Sequence, residues 1–153
     1  MLRLPKFRLH QPATLAEAAS ILATEGDGAR LVAGGTDLWP NLKRRHQKAG
    51  EVVSLSRLHE LRAVESNGDL HLGAMATLTS VERHAAIRER FPALAAAVGW
   101  ISSPVLRNMG TIGGNVCLDT RCTYYNQNEE RRQSISYCMK AEGKVCWVAP
   151  SSP

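Results

Sequence analysis

Long apolar runs are missing from this chain of 153 residues. No run approaches the roughly 18 apolar residues that cross a bilayer, so we expect no membrane contact. The first residues, M-L-R-L-P-K-F-R-L-H-Q-P, lack the apolar core of a secretory signal. We therefore expect a cytoplasmic protein whose four cysteines stay reduced rather than forming two disulfides.

Aromatic residues are also scarce, at 5% of the chain. The formal charge of +5 and the pI near 9.3 are values often found in proteins that bind nucleic acid or acidic partners. However, the densest basic run, K-R-R-H-Q-K at 43–48, has no aromatic side chains interleaved for base stacking. We expect no nucleic-acid binding and assign this run to a solvated helix end or a subunit interface.

Common nucleotide-binding motifs and catalytic triad patterns are absent from the sequence. Neither G-x-G-x-x-G nor G-x-x-x-x-G-K-[ST] occurs, which excludes a Rossmann fingerprint and a P-loop. The five histidines are scattered, and none is paired by a motif with a reactive Ser or Cys. We therefore predict no catalytic side chain.

The elements that are present alternate between strand and helix. Predicted strands cover 6–10, 30–33 and 51–55, and Asn67-Gly68 predicts a hairpin between 61–65 and 70–73. Two predicted helices cover 14–25 and a short segment from 36 or 37 to 42. A third begins with a capping box at 79–82 and ends just before Pro92, and a fourth starts at Pro92. This pattern predicts an α+β (mixed α/β) fold.

Two glycine-pair loops are the strongest chemical signal. They read A-G-G-T-D-L at 33–38 and T-I-G-G-N at 111–115, and each follows an apolar segment. A glycine pair lets backbone approach a ligand without a Cβ in the way, and successive N–H groups suit phosphate oxygens. Together the loops predict a site for a long dinucleotide.

These loops also carry a family resemblance. With Gly73-Ala74-Met75-Ala76-Thr77-Leu78 between them and R-N-M-G-T-I-G-G-N at 107–115, the chain resembles the flavin-binding medium subunits of the xanthine dehydrogenase and carbon monoxide dehydrogenase family. The resemblance implies an FAD-binding domain of the PCMH/vanillyl-alcohol-oxidase type. Since the end of the chain is loop-like, we expect that domain to be truncated on its C-terminal side.

The resemblance also implies which residues bind FAD. Those implied to contact its pyrophosphate through backbone are Leu31, Val32, Ala33, Gly34, Gly35, Thr36, Asp37 and Leu38. Those implied on the flavin side are Ile101, Thr111, Gly113, Gly114 and Asn115. Leu118 stands where relatives have a polar side chain, so a contact there would be through backbone alone.

The cysteines allow several interpretations by spacing alone. Cys117, Cys122, Cys138 and Cys146 do not form the compact C-x2-C runs of ferredoxins, so inert free thiols and a zinc site both stay open. The segment C-L-D-T-R-C-T-Y-Y-N-Q, with the cysteine-bearing stretch after it, is similar to β subunits of 4-hydroxybenzoyl-CoA reductases. That likeness implies a [4Fe–4S] cluster held by Cys122, Cys138 and Cys146, with a fourth ligand beyond Pro153 and Cys117 as a spare thiol.

We thus expect three parts: an N-terminal FAD-binding subdomain at 1–60, a second at 61–121, and the start of a cluster insert at 122–153. The resemblance implies electron transfer between a ferredoxin, the cluster, FAD, a [2Fe–2S] subunit and a molybdenum-cofactor subunit, in the reductive dehydroxylation of 4-hydroxybenzoyl-CoA. Two alternatives stay open. One is a flavin subunit of an aldehyde, xanthine or CO-type dehydrogenase, and the other is a non-catalytic binding module, either zinc-stapled or no longer able to hold flavin.

Overall fold

The computed structural model describes residues 3–151. They fall into two compact units, one ending at Cys117 and one starting at Leu118. The strands are β1 Arg8–His10, β2 Ala29–Val32, β3 Glu51–Ser54, β4 Val64–Asn67 and β5 Asp69–Leu72. The α-helices are α1 Leu15–Glu25, α2 Leu38–Lys43, α3 Leu78–Arg83, α4 Ala85–Arg90, α5 Pro92–Gly99, α6 Pro104–Arg107, α7 Ile112–Val116 and α8 Glu129–Ser134. The α+β class predicted from the sequence is confirmed.

A parallel three-stranded sheet, in the order β1-β3-β2, forms the first half of the first unit. The central strand β3 is buried on both faces. Val52 packs on one face with Leu42 and its neighbours, and Val53 packs on the other with Ala18 and Leu58. Burying each such side chain contributes about 1.5–3 kcal/mol, so the two clusters hold the sheet between α1 and α2.

Local signals placed α1 and the turn of the hairpin correctly, although β4 begins at Val64 rather than at Leu61 because His59–Arg62 forms a 3-10 helix. Thr14 caps α1 by accepting from the Glu17 N–H at 3.1 Å, and the Glu17 carboxylate accepts from the Ala13 N–H at 2.7 Å. Strands β4 and β5 pair antiparallel around Gly68, whose φ is +90°. These contacts lie within a few residues in sequence, which is why the pattern predicts them.

The second capping box was predicted at the wrong residue. Helix α3 is capped by Thr77, which accepts from the Ser80 N–H at 3.1 Å, rather than by Thr79. The single helix predicted up to Pro92 is two helices, α3 and α4, separated by the extended residue His84. The cause is tertiary: Thr77 pairs with Thr111 in an isolated bridge, and Leu78 is buried in the second core cluster.

The second unit is a short polar segment. Its one α-helix within the described residues is α8, capped by Asn128. The Arg132 guanidinium lies over the rings of Tyr125 and Tyr137, at 5.3 and 5.7 Å from the ring centres. Because apolar burial is small here, these cation–π contacts and the hydrogen bonds of the loops hold the segment.

Among the described residues, no helix combines the length and the apolar character needed to cross a bilayer. The predicted division into 1–60, 61–121 and 122–153 stays a prediction. The two observed units meet at Cys117 and Leu118, and within the first unit the parallel sheet precedes the hairpin and its helices.

Candidate cofactor-binding site

The first glycine loop joins the end of β2 to the start of α2. At its centre Gly35 has φ +74°, and a Cβ there would lie 2.1 Å from Nε1 of Trp39. The Trp39 ring in turn stacks on Phe7 with 5.7 Å between ring centroids. Glycine is therefore needed at 35 for backbone conformation and for space together.

The two predicted loops touch through their backbones. A Cβ on Gly34 would lie 1.7 Å from the carbonyl oxygen of Met109, so Cα of Gly34 packs directly on the stretch that leads into the second loop. A Cβ on Gly114 would come within 3.9 Å of the Ala33 Cβ. Two motifs far apart in sequence are thus joined into one surface of the first unit.

The third motif, 73–78, holds the second loop in place. Its carbonyl groups accept hydrogen bonds from two N–H groups: Ala76 from Ile112 at 2.9 Å and Ala74 from Gly113 at 3.0 Å. A Cβ on Gly113 would lie 2.7 Å from the Cβ of Ala74. This close packing explains the need for glycine at 113.

The two loops differ in what they offer a ligand. The Gly113 and Gly114 N–H groups already donate within the chain, to Ala74 O and to Oγ1 of Thr111. By contrast, the N–H groups of Gly34, Gly35 and Thr36 donate to no residue in the described part of the chain. The donors open to a ligand are those of the first loop, and not those of both loops as expected.

Side chains of the first loop contribute to the core rather than to a ligand surface. Val32 and Leu38 are buried in the cluster around Val52. Leu31 is half exposed, and the Asp37 carboxylate accepts from Nδ2 of Asn41 at 2.9 Å. Val32 and Leu38 therefore leave only backbone available to a cofactor, and the FAD contacts that the resemblance implies for them stay a prediction.

On the implied flavin side, Thr111 is buried and caps α7, while Asn115 is half-buried on the same short helix. The sequence predicts a loop over 111–115, whereas Ile112–Val116 forms a short helix. Ile101 follows α5 and is partly packed in the cluster of Val81, Ile87 and Val98.

Sequence reasoning missed several residues that build this site. Met109, Ala74 and Ala76 act through carbonyl groups, which no side-chain pattern reveals. Trp39 could have been noticed as a large aromatic four residues after Gly35. Arg107 belongs to the 107–115 motif and is buried and ion-paired to Glu82, a role that the motif alone does not predict.

The cysteines are free thiols. Cys117 is exposed at the end of α7 in the first unit, and Cys122, Cys138 and Cys146 belong to the second. Cys138 is buried, and the Met139 N–H donates to the Val145 carbonyl at 3.1 Å, closing the loop that Cys138 and Cys146 flank. Over residues 3–151, no three His, Cys, Asp or Glu side chains are grouped to hold a metal ion. As placed, the three cysteines do not fit a cluster.

Comparison with known proteins gives consistent matches. Residues 5–128 match the family described as the FAD binding domain in molybdopterin dehydrogenase. The chain is 34% identical over 113 residues to the carbon monoxide dehydrogenase medium chain of Hydrogenophaga pseudoflava, covering 73% of this chain and 39% of that protein. It is 40% identical over 113 residues to the nicotinate dehydrogenase FAD-subunit of Eubacterium barkeri, covering 72% and 38%. The chain thus spans about two fifths of the length of these curated relatives.

Solved structures agree with the sequence matches. Carbon monoxide dehydrogenase from Hydrogenophaga pseudoflava, in the form that lacks the Mo-pyranopterin moiety, superposes with a TM-score of 0.72 at 34% identity, covering 74% of this chain and 40% of that one. Quinoline 2-oxidoreductase from Pseudomonas putida 86 superposes with a TM-score of 0.68 at 32% identity. The match covers 73% of this chain and 39% of that one.

The geometry fits the cofactor of this family. Three consecutive N–H groups free to donate, on a loop whose glycines carry no side chain, suit the oxygens of a pyrophosphate. When bound, FAD supplies the redox chemistry, and the protein supplies position and electrostatics. On these matches and this loop, the chain belongs to the family of FAD-binding domains of molybdopterin dehydrogenases.

Proposed function

We propose that the chain is the FAD-binding part of the flavin subunit of a molybdenum hydroxylase-type oxidoreductase, working with a [2Fe–2S] subunit and a molybdenum-cofactor subunit. The observation that carries this proposal is the first glycine loop. Its free N–H groups at 34–36 lie beside the point where Gly34 packs on Met109. The relatives that are named as FAD subunits or medium chains of dehydrogenases support the assignment.

Valine substitutions in the loops test FAD binding. Gly34→Val would drive the loops apart at Met109, and Gly35→Val would strain a left-handed residue against Trp39. We expect both variants to lose bound FAD, measured by flavin absorbance after desalting. Gly114→Val meets only Thr111 Oγ1 at 3.0 Å and Ala33 Cβ at 3.9 Å, so its loss should be smaller.

Gly28→Val is the matched control, because nothing lies within 4 Å of a Cβ at that position and the residue lies before β2. It should retain the parent's flavin content. Unchanged flavin occupancy in folded Gly34→Val and Gly35→Val proteins would contradict the assignment of the site.

The finer part of the proposal concerns the substrate. We propose reductive dehydroxylation of 4-hydroxybenzoyl-CoA, with a ferredoxin as electron donor. The likeness of residues 117–127 to the β subunits of such reductases supports this choice, as do the cysteines that follow. Cys138 and Cys146 lie after the family match, which ends at 128.

We also propose that Cys122, Cys138 and Cys146 bind a [4Fe–4S] cluster, while Cys117 does not. The likeness of residues 117–127, and of the cysteines after them, to the β subunits of those reductases supports this assignment. The described arrangement does not bring the three thiols together, so ligation requires this segment to rearrange.

Iron content tests the ligand assignment. After anaerobic reconstitution with iron and sulfide, Cys138→Ser should hold much less iron than the parent because one thiolate is lost. Cys117→Ser is the control and should match the parent. Equal iron in the two variants would show that the assignment is wrong.

A second candidate is a dehydrogenase flavin subunit that passes electrons outward. The relatives favour it, because they are named for CO and nicotinate dehydrogenases. Assay of the assembled complex decides between the two. Ferredoxin-driven turnover of 4-hydroxybenzoyl-CoA supports the reductase, and oxidation of a CO-, aldehyde- or xanthine-type substrate without such turnover supports the dehydrogenase.

A further inference from the structure

Arg107 is a buried cation in the first unit that the proposed chemistry does not use. Its side chain is 11% exposed and lies in the last turn of α6, just before the glycine stretch. Nε donates to the Glu82 carboxylate at 3.1 Å. Burying a charged side chain is costly unless it is paired and hydrogen-bonded. The partners of Arg107 therefore indicate which part of the structure it stabilises.

The other contacts of Arg107 are to one turn of backbone. Its terminal nitrogen donates to the carbonyl of Ile101 at 3.1 Å and to that of Ser102 at 3.4 Å. Ser102 has φ +53°, a left-handed conformation that a non-glycine residue adopts only when its surroundings impose it. The guanidinium therefore fixes the turn between α5 and α6 in a conformation that the chain does not favour by itself.

The Glu82 carboxylate sets the position of the guanidinium. It belongs to α3, and a Cβ on Gly99 would come within 3.2 Å of its other oxygen, so the carboxylate is packed against the end of α5. The fork of Arg can reach the carboxylate and both carbonyls at once, whereas the single ammonium of Lys cannot do so from the same place.

We infer that Arg107, oriented by Glu82, is a positioning residue that presents the Ile101–Ser102 turn to the flavin. The inference rests on the proposed function and on the family resemblance, which implies that Ile101 lies on the flavin side of the site. Arg107 acts through the turn and touches no cofactor itself. Loss of the fork lets Ser102 relax, which moves Ile101 and changes the environment of the flavin ring.

The test compares four variants of the whole chain with FAD as the probe. Arg107→Lys keeps the charge but loses the fork, and we expect FAD to bind about tenfold more weakly, the loss typical of a charge-assisted hydrogen bond. The visible circular dichroism of bound flavin should change as well. Glu82→Gln should also weaken FAD binding and change the dichroism, but by less than Arg107→Lys. Arg83→Gln, an exposed neighbour on α3, is the control and should match the parent.

The rescue variant separates positioning from general stability. Glycine at 102 adopts a positive φ without strain, so adding Ser102→Gly to Arg107→Lys should restore several-fold of the lost affinity and the parent's dichroism. If Arg107→Lys fails to fold, Glu82→Gln with and without Ser102→Gly decides in its place. Parent-like FAD affinity and dichroism in Arg107→Lys and Glu82→Gln, or loss that Ser102→Gly does not restore, would overturn the inference. Failure of the parent itself to bind FAD would instead contradict the proposed function.

Discussion

At the residue scale, backbone atoms rather than side chains make the candidate site. Gly34 lies against a carbonyl oxygen, and Gly35 lies under an indole ring. Gly113 fits against Ala74, but its N–H is already bonded. Glycine therefore allows close packing in both loops, and in the first loop the glycine N–H groups are also left open to a ligand.

Thr77 offers a test of where α3 begins. Thr77→Ala removes the side-chain cap on the Ser80 N–H and should lower the free energy of unfolding by about 1 kcal/mol. Thr79→Ala removes only an exposed bond to Asn108 and should stay within about 0.5 kcal/mol of the parent. Chemical denaturation followed by far-ultraviolet circular dichroism measures both. A larger loss for Thr79→Ala would place the cap where the sequence pattern put it.

At the element scale, the sequence predicts those elements whose determinants are local. The cap at Thr14 and the turn at Gly68 depend on neighbours a few residues away, and both were predicted. The start of α3 and the helical form of 112–116 depend on bonds between distant segments, such as Ile112 to Ala76. No local pattern encodes such bonds, so the same rules failed there.

The candidate site shows the same limit. The glycine loops could be predicted from composition and motif, and the family match shows that the domain containing them is an FAD-binding domain. That the loops themselves bind FAD stays a prediction. Their contact through Gly34 and Met109, and the buried ion pair of Arg107, are products of the fold. The unequal availability of N–H donors in the two loops follows from the bonds that Gly113 and Gly114 make to Ala74 and Thr111, and it could not be inferred from the residues alone.

A side chain of helix α8 accepts a hydrogen bond from a tyrosine in the loop that follows the helix. The Tyr137 hydroxyl donates to the Glu129 carboxylate at 2.7 Å, which raises the pKa of Tyr137 above its ordinary 10.0. Because the folded pKa is raised, the contact stabilises the segment below pH 10 and is lost as the pH rises through the folded pKa. We expect Glu129→Gln to lower the pKa of Tyr137 toward its ordinary value.

Ultraviolet absorbance of tyrosinate during an alkaline titration measures this change. Glu130→Gln, the exposed neighbour on α8, is the control and should titrate like the parent. Identical titration curves for Glu129→Gln and the parent would show that the bond does not govern Tyr137.

At the scale of the whole molecule, different interactions stabilise the two units. The first unit has three apolar clusters and a buried sheet. In the described part of the second, Cys138 is the only buried apolar side chain, and cation–π and hydrogen-bond contacts supply the rest. The described part of the second unit therefore depends on polar and cation–π contacts rather than on an apolar core.

The central claim is that FAD is held by the free N–H groups of the first glycine loop. Its most direct test is a titration of isotope-labelled chain with FAD, followed through the amide resonances. We predict that the amides of Gly34, Gly35 and Thr36 shift in proportion to flavin bound, while those of Gly28 and Gly50 stay in place. Saturable FAD binding that leaves the amides of 34–36 unmoved, or no binding at all, would contradict the account.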